Sequence, residues 1–368
     1  MDSRGVRLKY YLENSRKWAL VTSYPLNTGI GTYALHLYEV GFFKNFIFFK
    51  TSYGGNESKF TYVLNSRNRT LGLIRKAASA FSKRNIYNKY LSKFEFIHFS
   101  DPDFFHLAKH NNAVGTIHDL FFFNKETKDD YSLLQRKYYK IEMSHAESLK
   151  GLLTISYQSK KMIKELYPNL DPTVIHLWTD DSFVRRDKLN CRRILHLPLD
   201  KFIILNIGND YKRKNIDVLP KIMNHLSADY LLIRIGNSER IVSRFIKNNF
   251  INETMVDAHT YPYFLNAADV VIIPSLEEGF GIPLIEAINS GTPLVVSNID
   301  IFKEILGTYK YYADPSDVDE WVQKIQEIKE KSANNDFVSK LYRKISDYYR
   351  AERARKQYVD FYKKIGFL

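Results

Sequence analysis

The sequence predicts an α/β protein built from two doubly wound parallel sheets, each covered by helices. Short apolar runs rich in Val, Ile and Phe alternate with helical patterns along the chain, which is typical of parallel α/β layers. The chain has 368 residues, more than one hydrophobic core comfortably holds, so two domains of about 180 residues each are expected. A polar stretch without clear periodicity lies near residues 178–190. We place the link between the two domains there.

Ten apolar runs are predicted strands, six before the link and four after it. In chain order they are WALVTS, FIFF, FEFIHFS, AVGTIHD, GLLTIS and TVIHL, then FIILNIG, YLLIRIG, VVIIP and PLVVS. Each run is short and rich in β-branched or aromatic residues, as buried strands are. The tail from Asp336 onward is basic, rich in Tyr and helical in pattern. Each half of the chain therefore supplies enough strands for one sheet.

The composition excludes several classes of protein. Hydrophobic residues make up 45% of the chain and aromatic residues 15%, which argues against disorder. Cys191 is the only cysteine, so we expect neither a disulfide framework nor a cysteine zinc site. No apolar run approaches the roughly 18 residues that span a bilayer, and the first one, WALVTS, is interpreted as a strand and not as an export signal. These features predict a soluble cytoplasmic protein.

Positive charge is concentrated in the first half of the chain. The net charge is +13, and residues 1–180 contribute +10 of it, with 26 Lys and Arg against 16 Asp and Glu. Nine basic residues and no acid lie between Glu57 and Glu95. Such a field favours an anionic partner, which the sequence leaves open as nucleotide phosphates, lipid phosphates or nucleic acid.

Two predicted strand ends in the first half carry residues suited to a ligand. In NTGIGTYALHL, a loop holding Gly29 and Gly31 would bring bare backbone and helix amides close to a bound molecule. In GTIHDL, His118 and Asp119 follow a strand, at the edge where α/β sheets bind ligands. The alternatives are a simple tight turn for the glycines and a hydrogen-bonded core position for the histidine.

A third strand end, IGNDYKRKNI, is basic. Gly208 ends the strand, and Arg213 and Lys214 follow at the start of a helical pattern. Cations beside free helix amides suit a diphosphate. The alternative is a solvated basic start of a helix.

The stretch EEGFGIPLIEA follows the predicted buried strand VVIIP and has an acid near each end, Glu278 and Glu286. Gly279 and Gly281 free the backbone between them, and Pro283 suits the first turn of a helix. Carboxylates accept hydrogen bonds from hydroxyls, whereas free amides bind phosphate. A nucleotide sugar has hydroxyls at both ends and phosphates between them. The alternative is that both acids only complement the helix dipole, an effect of about 0.3–1 kcal/mol.

The stretch FLNAADVVIIPSLEEGFGIPLIEAINSGTPLVVSNIDIFKEILG closely resembles the donor-binding half of retaining glycosyltransferases of family 4. The resemblance is specific from about residue 200 to 320 and looser in the first half, through NTGIGTYALHL, FEFIHFS, GTIHDL and LLTISYQSKKMI. It implies the GT-B fold, in which two Rossmann-like domains face each other across a cleft. The expected divisions are an acceptor domain of residues 1–183, a donor domain of 184–342, and a C-terminal helix of 343–368 that packs back on the first domain.

The resemblance also implies a role for each motif residue. Glu286 would bind the ribose hydroxyls and Glu278 the sugar ring, while Arg213 and Lys214 would neutralise the departing diphosphate. His118 would lie near the transferred sugar. The remaining expected donor-binding positions, which act mainly through the backbone, are Gly29, Gly31, Gly208, Gly279, Phe280, Gly281 and Ile282.

Enzymes of this kind usually transfer a hexose with retention and without a bound metal, because the leaving phosphate takes the acceptor proton on the same face. The resemblance therefore implies no cofactor and no metal site, with a UDP- or GDP-linked sugar as the substrate. Catalysis would consist of positioning and charge stabilisation. The pair Asp101 and Asp103 in SDPD could be mistaken for metal ligands, but Asp-Pro-Asp is common turn chemistry.

Two departures from the family pattern are visible. Many members have an arginine immediately after the glycine equivalent to Gly208, where this chain has Asn209. Residues 251–269 are compressed and irregular where relatives have a clearer strand near the nucleobase. The residues that contact the base therefore cannot be assigned from the sequence.

The basic stretch 58–94 is the candidate for the acceptor side. Leu71, Ile74, Ala78 and Phe81 share one helical face, and basic residues occupy the rest. Such a helix could bind an anionic membrane surface that holds a lipid-linked acceptor, or it could pack on the core with a solvated basic face. A peripheral position on the inner face of the membrane is thus one expectation for the protein.

Two further functions stay open at this stage. One is the same transfer chemistry on a nucleic-acid acceptor, although stacking aromatics do not alternate with the basic residues. The other is a non-catalytic nucleotide-sugar or nucleic-acid binding protein, against which the joint presence of His118, Lys214, Glu278 and Glu286 argues.

Overall fold

A computed structural model describes the greater part of the chain. The described residues are 17–24, 28–43, 45–48, 88, 91–110, 112–124, 127, 131–245, 249–331 and 336–368. The chain divides into two compact units, Met1–Leu177 with Glu352–Leu368, and Trp178–Ala351. The predicted divisions are after residues 183 and 342.

The first unit contains a six-stranded parallel sheet in the order β2-β1-β3-β4-β5-β6. The strands are β1 (Trp18–Thr22), β2 (Asn45–Phe48), β3 (Phe96–Phe99), β4 (Ala113–Ile117), β5 (Gly151–Thr154) and β6 (Thr173–Val174). All the pairings are parallel, with Val21 opposite Ile47 on one side and Phe99 on the other. The strand order reverses at β1 and β3, the place where such sheets bind ligands.

Helices cover this sheet. They are α1 (Gly29–Glu39), α2 (Leu133–Met143) and α3 (Tyr157–Leu166), with short 3-10 segments at Pro102–His110, Phe121–Phe123 and Ala146–Ser148. Helix α2 starts with a capping box, in which Ser132 and Gln135 satisfy each other's backbone amides. Ser156 caps the start of helix α3, and its hydroxyl accepts a hydrogen bond from the amide of Ser159.

The second unit repeats the design with a parallel sheet in the order β12-β11-β10-β7-β8-β9. The strands are β7 (Phe202–Ile207), β8 (Tyr230–Ile235), β9 (Phe250–Glu253), β10 (Val270–Ile273), β11 (Leu294–Ser297) and β12 (Tyr312–Ala313). The helices are α4 (Lys188–Ile194), α5 (Val218–His225), α6 (Glu239–Val242), α7 (Tyr261–Ala267), α8 (Ile282–Asn289), α9 (Asp300–Leu306), α10 (Val318–Lys331) and α11 (Asp336–Tyr348). Here the order reverses between β7 and β10.

The C-terminal helix α12 (Ala351–Lys364) packs in the first unit, as the predicted fold class requires. The Tyr358 hydroxyl lies 2.9 Å from the Tyr33 hydroxyl, and the Tyr362 hydroxyl lies 2.8 Å from His98 Nδ1. These contacts are fully buried. A side chain at Gly151 would collide with Phe361, because a Cβ there would lie 2.8 Å from that ring.

The predicted α/β class and all ten predicted strands are confirmed. Strands β9 and β12 were not predicted. Strand β9 is half-buried along its length and lies at the edge of its sheet, and β12 has two residues, so neither forms the apolar run that identified the others. Across the part of the chain that the structure describes, no helix combines the length and apolar character needed to cross a bilayer. The basic stretch 58–94 lies outside the described residues except for 88 and 91–94.

Candidate functional site

In the second unit, the candidate residues gather where the strand order reverses, at the carboxyl ends of β7 and β10. Gly208 follows β7 with a φ of 141°, a conformation that favours glycine. Its carbonyl packs so closely on the next loop that a Cβ on Gly236 would lie 1.9 Å from it. The chain then forms a 3-10 turn, Lys212–Lys214, which ends at Asn215 in the left-handed conformation. This sharp turn sets the directions of Arg213 and Lys214.

The loop after β10 is joined to that turn through the backbone. The amide of Leu276 donates to the carbonyl of Arg213 at 2.7 Å. Gly281 adopts a φ of 95° just before α8, and a Cβ there would lie 2.9 Å from the Phe302 ring. The Phe280 ring is buried and packs edge-on against Tyr349 at 5.6 Å. The side chain of Phe280 thus anchors the loop in the core. Its predicted role, donor binding, concerns its backbone amide.

Glu278 accepts hydrogen bonds from three side chains of this unit. Lys214 Nζ lies 2.5 Å from Oε1, Ser275 Oγ lies 2.8 Å from the same oxygen, and Arg213 Nη1 lies 3.3 Å from Oε2. The residue is only 7% exposed. Burial alone would raise the pKa of Glu278, but Lys214 and Arg213 outweigh it and hold the pKa below its ordinary value. Burial lowers the pKa of Lys214, against the pull of Glu278.

Glu286 has a different partner. The hydroxyl of Tyr261, at the start of α7, donates to Glu286 Oε2 at 2.6 Å. Glu286 is also 7% exposed. Burial, together with the charge of Glu286, raises the pKa of Tyr261 well above its usual range, so the phenol stays protonated.

The alternative in which both acids only complement the helix dipole is wrong. The first turn of α8 contains no acid. Glu278 precedes the helix and pairs with cations, and Glu286 is its fifth residue. Ile282, a predicted donor-binding position, is the first residue of that helix, and Gly279 lies between Glu278 and Phe280 in the loop before it.

Arg234 is a part of this region that sequence reasoning missed. It lies on β8, is fully buried, and donates to the carbonyls of Gly208 and Asn209 at 2.9 Å and of Asn237 at 3.2 Å. It therefore fixes the loop that contains Gly208 and Asn209, and it adds positive charge close to Lys214. A charged residue inside the apolar run YLLIRIG was the available signal.

In the first unit, the predicted residues are engaged within their own chain. Gly29 and Gly31 lie in the first turn of α1 and not in a preceding loop, and the Gly31 amide donates to Thr28 Oγ1 at 3.1 Å. The expectation of a loop at these glycines is therefore wrong. A helical first turn is compatible with Gly because an N-cap threonine supplies the missing acceptor.

His118 is buried at the end of β4. Its Nε2 lies 2.8 Å from the carbonyl of Ser100, which can only accept, so Nε2 carries the proton. The Tyr33 ring packs edge-on against the imidazole at 4.7 Å. Burial lowers the pKa of His118 to about 4, although the hydrogen bond to Ser100 opposes this. The ring is therefore neutral at pH 7, and its geometry fits the alternative of a hydrogen-bonded core histidine.

Asp101 closes a turn at the end of β3. Its carboxylate accepts hydrogen bonds from Ser100 Oγ at 2.9 Å, from the Asp103 amide at 3.1 Å, and from the Ser23 amide and hydroxyl at 3.2 Å. This is the turn chemistry expected of Asp-Pro-Asp. Among the residues with described positions, no cluster of three or more His, Cys, Asp or Glu is arranged to hold a metal ion.

Comparison with known proteins found a family whose model matches most of the second unit. Residues 187–351 match the model of the family described as "Glycosyl transferases group 1". This segment is therefore similar to the group 1 glycosyl transferases. The chain is 30% identical over 237 residues to O-antigen chain mannosyltransferase B of Escherichia coli, a match that covers 59% of this chain and 61% of the relative. The chain thus spans about three-fifths of that relative's length.

Solved structures agree over nearly the whole chain. Sucrose-phosphate synthase from Thermosynechococcus elongatus superposes with a TM-score of 0.75 at 16% identity, covering 95% of this chain and 99% of that one. HepE from Anabaena, solved in complex with UDP and glucose, gives 0.75 at 14% identity, with 95% and 100% covered. At these identities the likeness establishes the fold, and the predicted GT-B fold is confirmed.

Proposed function

We propose that the protein is a retaining glycosyltransferase that moves a hexose from a nucleotide-sugar donor to a hydroxyl of a lipid-linked or glycan acceptor. The observation that carries the proposal is the cluster formed by Arg213, Lys214 and Glu278 at the carboxyl ends of β7 and β10, with Glu286 on the helix that follows. Two cations, one neutralised acid and a second acid match the diphosphate, sugar and ribose of such a donor.

In this proposal the donor's diphosphate takes over the two cations that Glu278 holds in the structure. Arg213 and Lys214 would then neutralise the diphosphate as it leaves, which is electrostatic work that a metal does in other transferases. The bond from the anomeric carbon to the diphosphate oxygen breaks, and a bond to the acceptor oxygen forms on the same face. The acceptor proton passes to the leaving phosphate.

The two carboxylates would position the donor. Glu278, loosened from its cations, accepts a hydrogen bond from a hydroxyl of the transferred sugar, and Glu286 accepts from the ribose hydroxyls. HepE, which has a similar fold and was solved in complex with UDP and glucose, supports a nucleoside diphosphate as part of the ligand. The relative named as an O-antigen chain mannosyltransferase supports transfer of a hexose to a glycan. The roles of Gly29, Gly31 and His118 in the first unit stay predictions.

The test of the function is donor binding followed by turnover. A thermal-shift screen of nucleotide sugars beside UDP and GDP is expected to give a clear rise in melting temperature for one donor. Turnover of that donor should continue in EDTA, since the cations replace a metal. A strict requirement for Mg²⁺ or Mn²⁺ would contradict the metal-independent mechanism, and no shift with any nucleotide would favour a protein of another function.

The acceptor side of the proposal includes an anionic membrane surface. Helix α2 carries three exposed aliphatic side chains, Leu133, Leu134 and Ile141, which are 68%, 54% and 53% exposed. Lys137 and Lys140 are exposed on the same arc of about 120° at the helical angle of 100° per residue. The single acid of this helix is buried. An apolar face edged by lysines fits the surface of anionic lipids.

Flotation with vesicles tests this surface. Binding is expected with vesicles rich in phosphatidylglycerol and not with pure phosphatidylcholine. The double change Leu134→Glu and Ile141→Glu should lower the fraction of protein bound to vesicles at least several-fold. It removes two apolar contacts and reduces the net positive charge of the surface. Leu189→Glu, at a leucine of α4 that is 44% exposed, is the matched control. Flotation of the double variant at the parent level would remove the surface from the proposal.

A further inference from the structure

Arg234 is a charged residue inside a strand that is otherwise largely apolar. It is the residue before the last in β8, and it is fully buried. A guanidinium keeps its proton in a protein, and burying it costs free energy that an apolar side chain at the same place would not cost. Packing of the core therefore does not explain an arginine at this position.

The guanidinium of Arg234 holds the backbone of two loops at once. Its Nη2 lies 2.9 Å from the carbonyl oxygens of Gly208 and Asn209, and 3.2 Å from that of Asn237. The first two carbonyls belong to the loop after β7, and the third belongs to the loop after β8. The two loops touch, since a Cβ on Gly236 would lie 1.9 Å from the Gly208 oxygen. Arg234 thus fastens both loops at the carboxyl end of the sheet.

Asn206 orients this guanidinium. It lies opposite Arg234 on the neighbouring strand β7, and its Oδ1 accepts a hydrogen bond from Arg234 Nη1. On its other side, Asn206 Nδ2 donates to the carbonyl of Ile272 on β10 at 2.9 Å. The strands β10, β7 and β8 are neighbours in the sheet. A polar chain therefore crosses the strands whose carboxyl ends carry the proposed donor site.

The direction of the held carbonyls sets the direction of the amides beside them. In a trans peptide unit the C=O and N–H bonds point in opposite directions. Because the Gly208 carbonyl points at Arg234, the amide of Asn209 points away from it. Asn209 is exposed whereas Arg234 is buried, so this amide is directed from the core toward the surface. The 3-10 turn Lys212–Lys214 begins three residues later.

We propose that Arg234 is a positioning residue for the donor's diphosphate. It holds the loop after β7 so that the Asn209 amide, with Arg213 and Lys214 of the next turn, contacts the phosphate nearest the sugar. The site therefore prefers nucleoside diphosphates to monophosphates. This inference rests on the proposed function, because it takes the diphosphate to lie at Arg213 and Lys214. It adds to the donor site a residue of β8, outside the motifs that the sequence identified.

The test compares ligands that differ by one phosphate, so it needs no acceptor. The dissociation constants of UDP and UMP, or of GDP and GMP if that pair binds, are measured by calorimetry for the parent and for Arg234→Lys. Lysine keeps the positive charge but replaces the planar fork of donors by a single ammonium group. The parent should bind the diphosphate on the order of 10²-fold more tightly than the monophosphate. In Arg234→Lys this ratio should fall to about tenfold or less, because a hydrogen bond to a charged phosphate is lost.

The matched control is Arg192→Lys, at a second buried arginine of the same unit. Arg192 is 3% exposed and also donates to three backbone carbonyls, those of Ala267, Leu199 and Lys201. It also bonds Asp269, which immediately precedes β10, so its contacts lie at the amino end of the sheet, away from the donor site. This change should lower the melting temperature and leave the diphosphate-to-monophosphate ratio at the parent value.

A merely structural arginine would affect the binding of both nucleotides equally. The ratio in Arg234→Lys would then stay at the parent value, which would overturn the inference while the proposed function stands. If the parent binds no nucleoside diphosphate, or binds the diphosphate and the monophosphate equally, the proposed function itself fails and the inference with it.

A second variant, Asn206→Ala, tests the same contact with Arg234 in place. It removes the acceptor that orients the guanidinium, while the charge and the three carbonyls remain. The diphosphate-to-monophosphate ratio should fall about three- to tenfold, because the loop after β7 is held less firmly. If Arg234→Lys is too unstable for calorimetry, Asn206→Ala decides, and an unchanged ratio in that variant would overturn the inference.

Discussion

Glu278 and Glu286 are the same residue type, equally buried, on either side of one short turn, and yet their surroundings are opposite. Glu278 is bonded to Lys214 and Arg213, so its negative charge is already balanced. Glu286 accepts a hydrogen bond from the neutral phenol of Tyr261. Under the proposed function, Glu278 would compete with an incoming phosphate for these cations, whereas Glu286 would accept hydrogen bonds from hydroxyls.

The largest effect is expected from Glu278→Gln. Transfer should fall on the order of 10³-fold or more, because the carboxylate proposed to contact the sugar is lost. Affinity for the free nucleoside diphosphate should be unchanged or higher, since the amide no longer competes with phosphate for Lys214 and Arg213. Initial rates and calorimetry measure the two quantities on the same preparation. Near-normal transfer, or weakened diphosphate binding, would contradict the different roles proposed for Glu278 and Glu286.

Lys214→Gln should have the next largest effect, on the order of 10²-fold in transfer, because it removes one of the two charges proposed to stabilise the leaving diphosphate. Diphosphate affinity should also fall, unlike in Glu278→Gln. Lys212→Gln, an exposed lysine of the same 3-10 turn, is the control and should remain near the parent. If the Lys214 and Lys212 variants have the same activity and diphosphate affinity, Lys214 has no special role in the site.

Glu286→Gln is expected to act mainly on the donor. The KM for the nucleotide sugar should rise about tenfold, with kcat changed by less than about threefold, since ribose contacts stabilise ground and transition states alike. Steady-state kinetics with varied donor measure both constants. A large loss in kcat with an unchanged KM would show that Glu286 serves the reacting sugar, and the assignment of the two acids would then need to be reversed.

The sequence predicted the strands and turns that carry this site better than it predicted the contacts between its side chains. Apolar runs and glycines show where strands end and where turns must lie, because burial and backbone conformation are local properties of a segment. The partners of the acids are not local. Tyr261 lies 25 residues from Glu286, and Arg234 lies on a neighbouring strand, so only the folded sheet brings them together. The helical first turn at Gly29 was missed for a different reason: its cap at Thr28 is local, but the two glycines were interpreted as a loop.

The smallest effect is expected from Ser275→Ala, and it sharpens the contrast between the acids. Ser275 donates to Glu278 Oε1 as Tyr261 donates to Glu286 Oε2, so the two hydroxyls are formally equivalent. Glu278, however, keeps Lys214 and Arg213 when the serine hydroxyl is removed. Transfer should therefore fall only about two- to fivefold. A loss in kcat/KM as large as that of Glu278→Gln would show that the hydroxyl, and not the cations, holds Glu278 in its working position.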